Sequence, residues 1–157
     1  MENPHSILKK VFGYDDFRPG QEEIVSRLLA GQDVLAVMPT GAGKSAFYQV
    51  SGIYLAQVHQ AVTLVITPLI ALMQDQVSQL EARGVHCATF LNSNVSHEER
   101  EERLNAIHKG EKSILYIAPE MLLTTSLETL LGGRRLGLFV VDEAHTVTSW
   151  GRDFRAE

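Results

Sequence analysis

Short, continuous apolar runs recur along the chain, and most of them are rich in β-branched residues. They cover residues 34–38, 62–67, 86–90, 114–117 and 138–141. Each run is bounded by turn-forming residues and lacks the apolar–polar alternation of a strand that faces water on one side. The pattern therefore predicts five strands that are covered on both faces, as in a parallel sheet flanked by helices.

The segments between these runs carry residues that start and stop helices. They predict helices from Pro19 to Gly31, from Thr67 to Gly84, from Ser96 to Gly110 and from Pro119 to Gly132, with another that follows the segment 38–45 and reaches about Gln57. Ser96 and Glu99 have the spacing of a capping box. Strands that alternate with helices indicate βαβ units with right-handed crossovers. We therefore expect one α/β domain with an open, doubly wound sheet.

The composition agrees with one ordinary globular domain, because 45% of the 157 residues are hydrophobic. Cys87 is the single cysteine, which excludes an internal disulfide and a zinc site built from several thiolates. The sequence has no apolar segment of signal-peptide type and no run near the ~20 apolar residues that span a bilayer. We expect a cytoplasmic protein, nucleoid-associated if the source is bacterial, with no membrane partner.

The net charge of −5 argues against a protein that coats nucleic acid through bulk electrostatics. Any contact with nucleic acid must then be local. Arg134 with Arg135, and Arg152 with Arg155, are the basic pairs that could supply one. The alternative for such pairs is ordinary solvated surface.

A segment of mostly small residues, 38–45, follows the first apolar run and reads MPTGAGKS. Before a helix, such a segment can turn consecutive backbone N–H groups toward a phosphate. The residues expected to bind nucleotide are Thr40, Gly41, Ala42, Gly43, Lys44 and Ser45. Lys44 would pair with β- and γ-phosphate oxygens, and the Ser45 hydroxyl would bind Mg²⁺. The alternative is a tight glycine turn with a surface lysine.

Two carboxylates, Asp142 and Glu143, directly follow the last apolar run. An acid at the carboxyl end of such a strand can hold magnesium, and its neighbour can deprotonate the water that attacks the γ-phosphate. We assign the first role to Asp142 and the second to Glu143. Without the phosphate-binding segment upstream, this pair would be interpreted as a helix cap.

Several motifs together resemble the RecQ family of superfamily 2 DNA helicases. Residues 142–145 read DEAH, and the Pro-Thr-Gly form of the phosphate loop has Met38 where the general pattern has glycine. Residues 12–24, 65–77 and 116–120 are similar to motifs 0, Ia and Ib of that family, and 145–155 to its aromatic-rich loop. Ala42, where the family often has glycine, and Arg152, where it often has histidine, depart from the pattern. The resemblance implies a RecA-like, P-loop NTPase fold with three α/β/α layers.

The resemblance also implies roles for individual residues. The residues expected to contact the adenine base of ATP are Tyr14, Arg18 and Gln21. The residues expected to contact single-stranded or partly duplex DNA are Trp150, Arg152, Phe154 and Arg155. His145 would link the nucleotide site to the rest of the motor. Independently of the resemblance, Thr67 and Ala118 follow strands, so the helix amino termini at Pro68 and Pro119 should lie at the carboxyl edge of the sheet and suit DNA phosphates. The alternatives are core roles for the aromatic residues, a DEAD-box-like RNA helicase, and a binding fragment without turnover.

By the same resemblance, the chain is the front part of a first motor domain, and it ends before that domain is complete. The C-terminal helicase domain that activity requires would be absent, so residues 1–157 alone should not unwind DNA. The missing part includes a strand that, in this class of sheet, lies between the strand before the phosphate loop and the strand before Asp142. We therefore expect a vacancy between those two strands.

Overall fold

The computed structural model describes residues 3–17, 21–32, 34–37 and 44–141. Those ranges contain no helix of the length and apolar character needed to cross a membrane. The described residues form a parallel sheet flanked by helices, so the predicted α/β fold class is confirmed.

The strands fall at the predicted apolar runs. They are β1 (Val34–Val37), β2 (Val62–Ile66), β3 (Ala88–Leu91), β4 (Ile114–Ile117) and β5 (Leu136–Val141). Their order across the sheet is β1-β5-β2-β4-β3, and every neighbouring pair is parallel. All five residues of the central strand β2 are buried, as expected for a strand with helices on both faces.

The expected vacancy next to β1 is wrong for this chain. β1 pairs directly with β5, from Val34 opposite Leu138 to Val37 opposite Val141. Direct pairing satisfies the backbone N–H and C=O groups that the two strands turn toward each other, whereas a vacancy would leave these facing edges without partners.

The helices connect these strands in an alternating order. They are α1 (Pro4–Ile7), which continues into a π-helical turn (Leu8–Phe12), α2 (Gln21–Leu29), α3 (Lys44–His59), α4 (Ile70–Ala82), α5 (His97–His108), α6 (Met121–Thr124) and α7 (Leu127–Leu131). Right-handed crossovers place α3 and α4 on one face of the sheet and α5 to α7 on the other. The capping box of Ser96 and Glu99 is present at the start of α5.

Two helical regions differ from the prediction. The single helix expected after Pro119 is two short helices, because Thr125 is extended and Ser126 caps a new helix by accepting the Thr129 N–H. The N-terminal helix was not predicted, although Asn3 accepts the Ser6 N–H at 2.8 Å and Pro4 occupies the first turn. These are ordinary helix-start signals.

Candidate nucleotide site

The strand ends nearest the predicted site are aligned at one edge of the sheet. Val37, the last residue of β1, pairs with Val141, the last residue of β5. Val141 also pairs with Ile66 of β2, which in turn pairs with Ile117 of β4. Neighbouring strands are about 4.7–4.9 Å apart. The last residues of β1 and β5 are therefore direct neighbours at this edge.

Helix α3 begins beside these strand ends and packs closely against the sheet. It begins at Lys44, directly after the glycine-rich segment, and runs for 16 residues. Phe47 and Val50 are buried in the core. A Cβ atom on Gly52 would lie 2.9 Å from Cγ1 of Ile114, so the glycine allows the helix to lie close to the sheet. The first turn has no acidic residue, which leaves the partial positive charge of the helix start available to a phosphate.

A cavity of about 390 Å³ beside this helix start brings Tyr14 and Gln21 together. Its other lining residues are Leu8, Gly13, Asp15, Asp16, Phe17, Ala46 and Phe47. Ala46 and Phe47 belong to the beginning of α3, so the cavity lies next to the expected phosphate position. Tyr14 is 53% exposed, and its ring is therefore accessible to a flat ligand.

Aromatic packing fixes one end of the segment that carries Tyr14. The ring of Phe17 meets Phe47 edge to face at 6.1 Å between centroids, and it meets His5 at 5.1 Å. These contacts tie residues 14–17 to α1 and α3. Asp15 and Asp16 also line the cavity but were not singled out in the sequence, although they directly follow Tyr14. Their carboxylates favour the amino-bearing edge of a base over a phosphate group.

Most of the predicted site residues lie outside the described part of the chain. These are Arg18, Thr40, Gly41, Ala42, Gly43, Asp142, Glu143, His145, Trp150, Arg152, Phe154 and Arg155. Lys44 and Ser45 are located only through the backbone of α3. The roles assigned to all of them, and to Tyr14 and Gln21, stay predictions.

The start of α4 lies at the same edge of the sheet, just beyond β2. The Thr67 N–H donates to the Ile117 carbonyl at 3.1 Å, and the Thr67 hydroxyl accepts the Leu69 N–H at 3.3 Å. Among the described residues, no side chain caps the helix that then begins at Ile70. Its first amides therefore suit an anion. After β4, helix α6 has only four residues and begins at Met121, so few aligned peptide dipoles stand behind its start.

Arg134 and Arg135 lie at the opposite, amino edge of the sheet. Arg134 donates to the carbonyls of Ile107 at 2.8 Å, Lys112 at 2.7 Å and Gln60 at 3.2 Å, and to the Ser113 hydroxyl at 2.8 Å. It therefore joins the segments that lead into β2, β4 and β5. These bonds give Arg134 a structural role and explain its presence without nucleic acid.

A larger cavity, of about 1000 Å³, lies at this amino edge. Several of the cations around it bind main-chain carbonyls, as Arg135 binds that of Gly31 at 2.6 Å and Arg83 that of Val11 at 3.0 Å. The Cys87 thiol also lines this cavity, and burial raises its pKa. The thiol therefore stays protonated and unreactive at neutral pH. The basic residues at this edge thus complement carbonyl groups at helix ends and turns.

The chain is similar in sequence to known helicases. A model of the DEAD/DEAH box helicase family matches residues 18–157. The chain is 45% identical over 152 residues to the ATP-dependent DNA helicase RecQ of Haemophilus influenzae, covering 97% of this chain and 24% of that protein. It is 44% identical over 160 residues to the ATP-dependent DNA helicase Q5 of the rat, covering 97% of this chain and 16% of that protein.

A solved structure shares the fold at low sequence identity. The DUF1998 helicase MrfA, bound to DNA and AMPPNP, superposes with a TM-score of 0.65 at 23% identity, covering 93% of this chain and 21% of that chain. The chain spans about a quarter of the bacterial RecQ protein that it matches.

Proposed function

Because the chain belongs to the DEAD/DEAH box helicase family, we propose that it forms the ATP-binding front part of a RecQ-type DNA helicase. In the complete protein, ATP hydrolysis would drive 3′–5′ translocation on single-stranded DNA and unwinding of the duplex. The observation that carries this proposal is the pairing of Val37 with Val141 beside the start of α3. The segment 38–45 follows Val37 in the sequence, and the acidic pair follows Val141, so this pairing supports the assignment of both to one site.

The phosphate end of ATP would be held by residues 40–45. Lys44 would donate to the β- and γ-phosphate oxygens, while Ser45 and Asp142 would hold Mg²⁺. Hard oxygen donors of this kind fit magnesium, which when bound neutralises part of the phosphate charge. Glu143 would orient the attacking water and accept its proton.

The base end of ATP would occupy the 390 Å³ cavity. Tyr14 would stack on the adenine, Gln21 would make a two-point amide contact with the base edge, and Arg18 would add a third contact. The cavity adjoins the first residues of α3, so one nucleotide could fill it and reach the phosphate-binding segment. The carboxylates of Asp15 and Asp16 support this orientation.

DNA would contact the segment after the DEAH residues. Trp150 and Phe154 would stack on bases, Arg152 and Arg155 would pair with phosphates, and His145 would transmit the contact to the nucleotide site. The start of α4 would hold a further phosphate. Hydrolysis and unwinding would also require a second motor domain, which supplies an arginine to the γ-phosphate.

The test compares single-stranded DNA with single-stranded RNA as stimulants of ATP hydrolysis by the protein produced from its complete gene. We expect DNA to stimulate and RNA to have little effect. The variant Glu143→Gln should bind ATP with near-normal affinity and lose hydrolysis, because an amide cannot accept the proton of water.

Stimulation by RNA and not by DNA would identify an RNA helicase of the DEAD-box type. ATP binding without any turnover, with or without DNA, would identify a binding protein. Retained hydrolysis in Glu143→Gln would assign the base to another residue.

A further inference from the structure

Three polar side chains form a closed hydrogen-bonded ring within the core. The Gln49 amide donates to Oε1 of Gln76 at 2.6 Å and to the Tyr116 hydroxyl at 2.8 Å. The Tyr116 hydroxyl in turn lies 3.3 Å from Oε1 of Gln76. Their exposed fractions are 4%, 9% and 1%, so the ring is shielded from water.

Stability alone does not account for such a ring. A net hydrogen bond adds only about 0.5–1.5 kcal/mol, and burying an amide without a partner costs about 1–3 kcal/mol. Apolar side chains of similar volume would give comparable stability with no such risk. What the ring adds is a defined distance and direction between the elements that carry it.

The three residues lie on α3, α4 and β4, the elements that lead to the proposed nucleotide and DNA contacts. Gln49 lies on α3, five residues beyond Lys44 and therefore about 7.5 Å along the helix axis. Gln76 lies on α4, the helix that follows Thr67, and Tyr116 lies on β4, two residues before Ala118.

Helix α3 and strand β4 also meet through an aromatic contact next to the ring. The side chain of Tyr48, the neighbour of Gln49 on α3, packs edge to face on Tyr116 with 6.2 Å between ring centroids. The backbone of α3 therefore cannot shift along β4 without disturbing both the aromatic contact and the hydrogen bonds.

We propose that Gln49, Gln76 and Tyr116 are positioning residues that transmit nucleotide binding at the start of α3 to α4 and to the end of β4. This inference rests on the proposed function, because it assumes that α3 receives a nucleotide and that α4 contributes to the DNA side of the site. A phosphate that fixes the start of α3 would then also fix α4 through the ring. The amides of α4 would exchange more slowly with solvent as a result.

The test measures amide hydrogen exchange across residues 70–82 in residues 1–157, with and without a saturating non-hydrolysable ATP analogue. In the parent chain we expect the analogue to slow exchange of α4 by about 5- to 150-fold, the usual range of coupling between two sites. In Gln49→Leu, which removes the amide that bonds both Gln76 and Tyr116, the slowing should fall to less than about twofold. Calorimetry of each variant shows that the analogue is bound at the concentration used.

Ser51→Ala is the matched control. It removes a buried hydroxyl from the same helix, but that hydroxyl bonds the Phe47 carbonyl within α3 at 2.9 Å and takes no part in the ring. We expect the control to keep the full effect on α4.

A purely structural ring would lower the melting temperature of Gln49→Leu and leave the effect of nucleotide on α4 unchanged, and that result would overturn the inference. The same holds if the parent chain binds the analogue and α4 shows no slower exchange. If the parent chain binds no analogue, the proposed nucleotide site fails, and this inference fails with it.

Discussion

Replacement of Arg134 by alanine should destabilise the domain measurably, because its guanidinium joins segments that are distant in the sequence. It donates to three carbonyls and one hydroxyl at distances of 2.7–3.2 Å. Hydrogen bonds from a charged donor are worth about 1.5–3 kcal/mol each when fully buried. Arg134 is only partly buried, so water can replace the side chain at some of these carbonyls.

We therefore expect a total loss of about 2–3 kcal/mol in the free energy of unfolding. For a chain of this size, each kcal/mol shifts the melting temperature by about 2–4 °C, which gives a decrease of about 4–12 °C. Burial also lowers the pKa of this guanidinium, although it stays charged at any pH of the assay.

The assay is thermal unfolding followed by circular dichroism, with Arg27→Ala as the control. Arg27 makes an exposed pair with Glu23 one helical turn away, at 3.1 Å, and such pairs contribute about 0.3–0.5 kcal/mol. Equal melting temperatures for Arg134→Ala and Arg27→Ala would refute the structural role. If Arg134→Ala were as stable as the parent but bound single-stranded DNA more weakly, Arg134 would instead be a nucleic-acid contact.

Two further substitutions test the fold and the base site. Gly132→Ala should cost more stability than Gly133→Ala in the same unfolding assay. Both glycines have positive φ, but only at Gly132 would a Cβ atom clash with the His108 ring. Equal losses would show that this ring moves aside without cost. Tyr14→Ala should weaken ATP binding by the loss of about 1–3 kcal/mol of base stacking, measured by calorimetry, whereas Phe12→Ala should have a small effect because Phe12 contacts Arg83 outside the cavity. Equal effects of the two would remove Tyr14 from the base site.

Local sequence was sufficient to predict which segments form strands, because burial on both faces leaves a continuous apolar run. All five residues of β2 are buried, and β4 is likewise buried throughout. The capping box at Ser96 was predicted for a similar reason, since its geometry depends on residues three positions apart.

The sequence could not determine which strands are neighbours. The pairing of β1 with β5 joins residues about a hundred positions apart, and no local signal distinguishes it from a sheet with another strand between them. Resemblance suggested such a strand, and the prediction was wrong for this chain. The ring of Gln49, Gln76 and Tyr116 was missed for the same reason, because each residue lies in a different predicted element.

The candidate site was predictable where one motif places its residues close together. Tyr14 and Gln21 come from one short segment, and both line the 390 Å³ cavity. Phe17 and Phe47 were not recognised as its support, because their contact depends on how α3 packs against the N-terminal segment. Arg134 was considered for function, but its carbonyl partners come from two separate connections, α3 to β2 and α5 to β4, that only the folded chain brings together.

The most direct test of the nucleotide site is calorimetric titration of Mg-ATP into residues 1–157 and into Lys44→Ala, with Lys109→Ala as a control at the opposite edge of the sheet. We predict weak but measurable binding by the parent chain and by Lys109→Ala, and none by Lys44→Ala, because Lys44 is the cation expected at the β- and γ-phosphates. Equal ATP affinity in the parent chain and Lys44→Ala would contradict the assignment of the site.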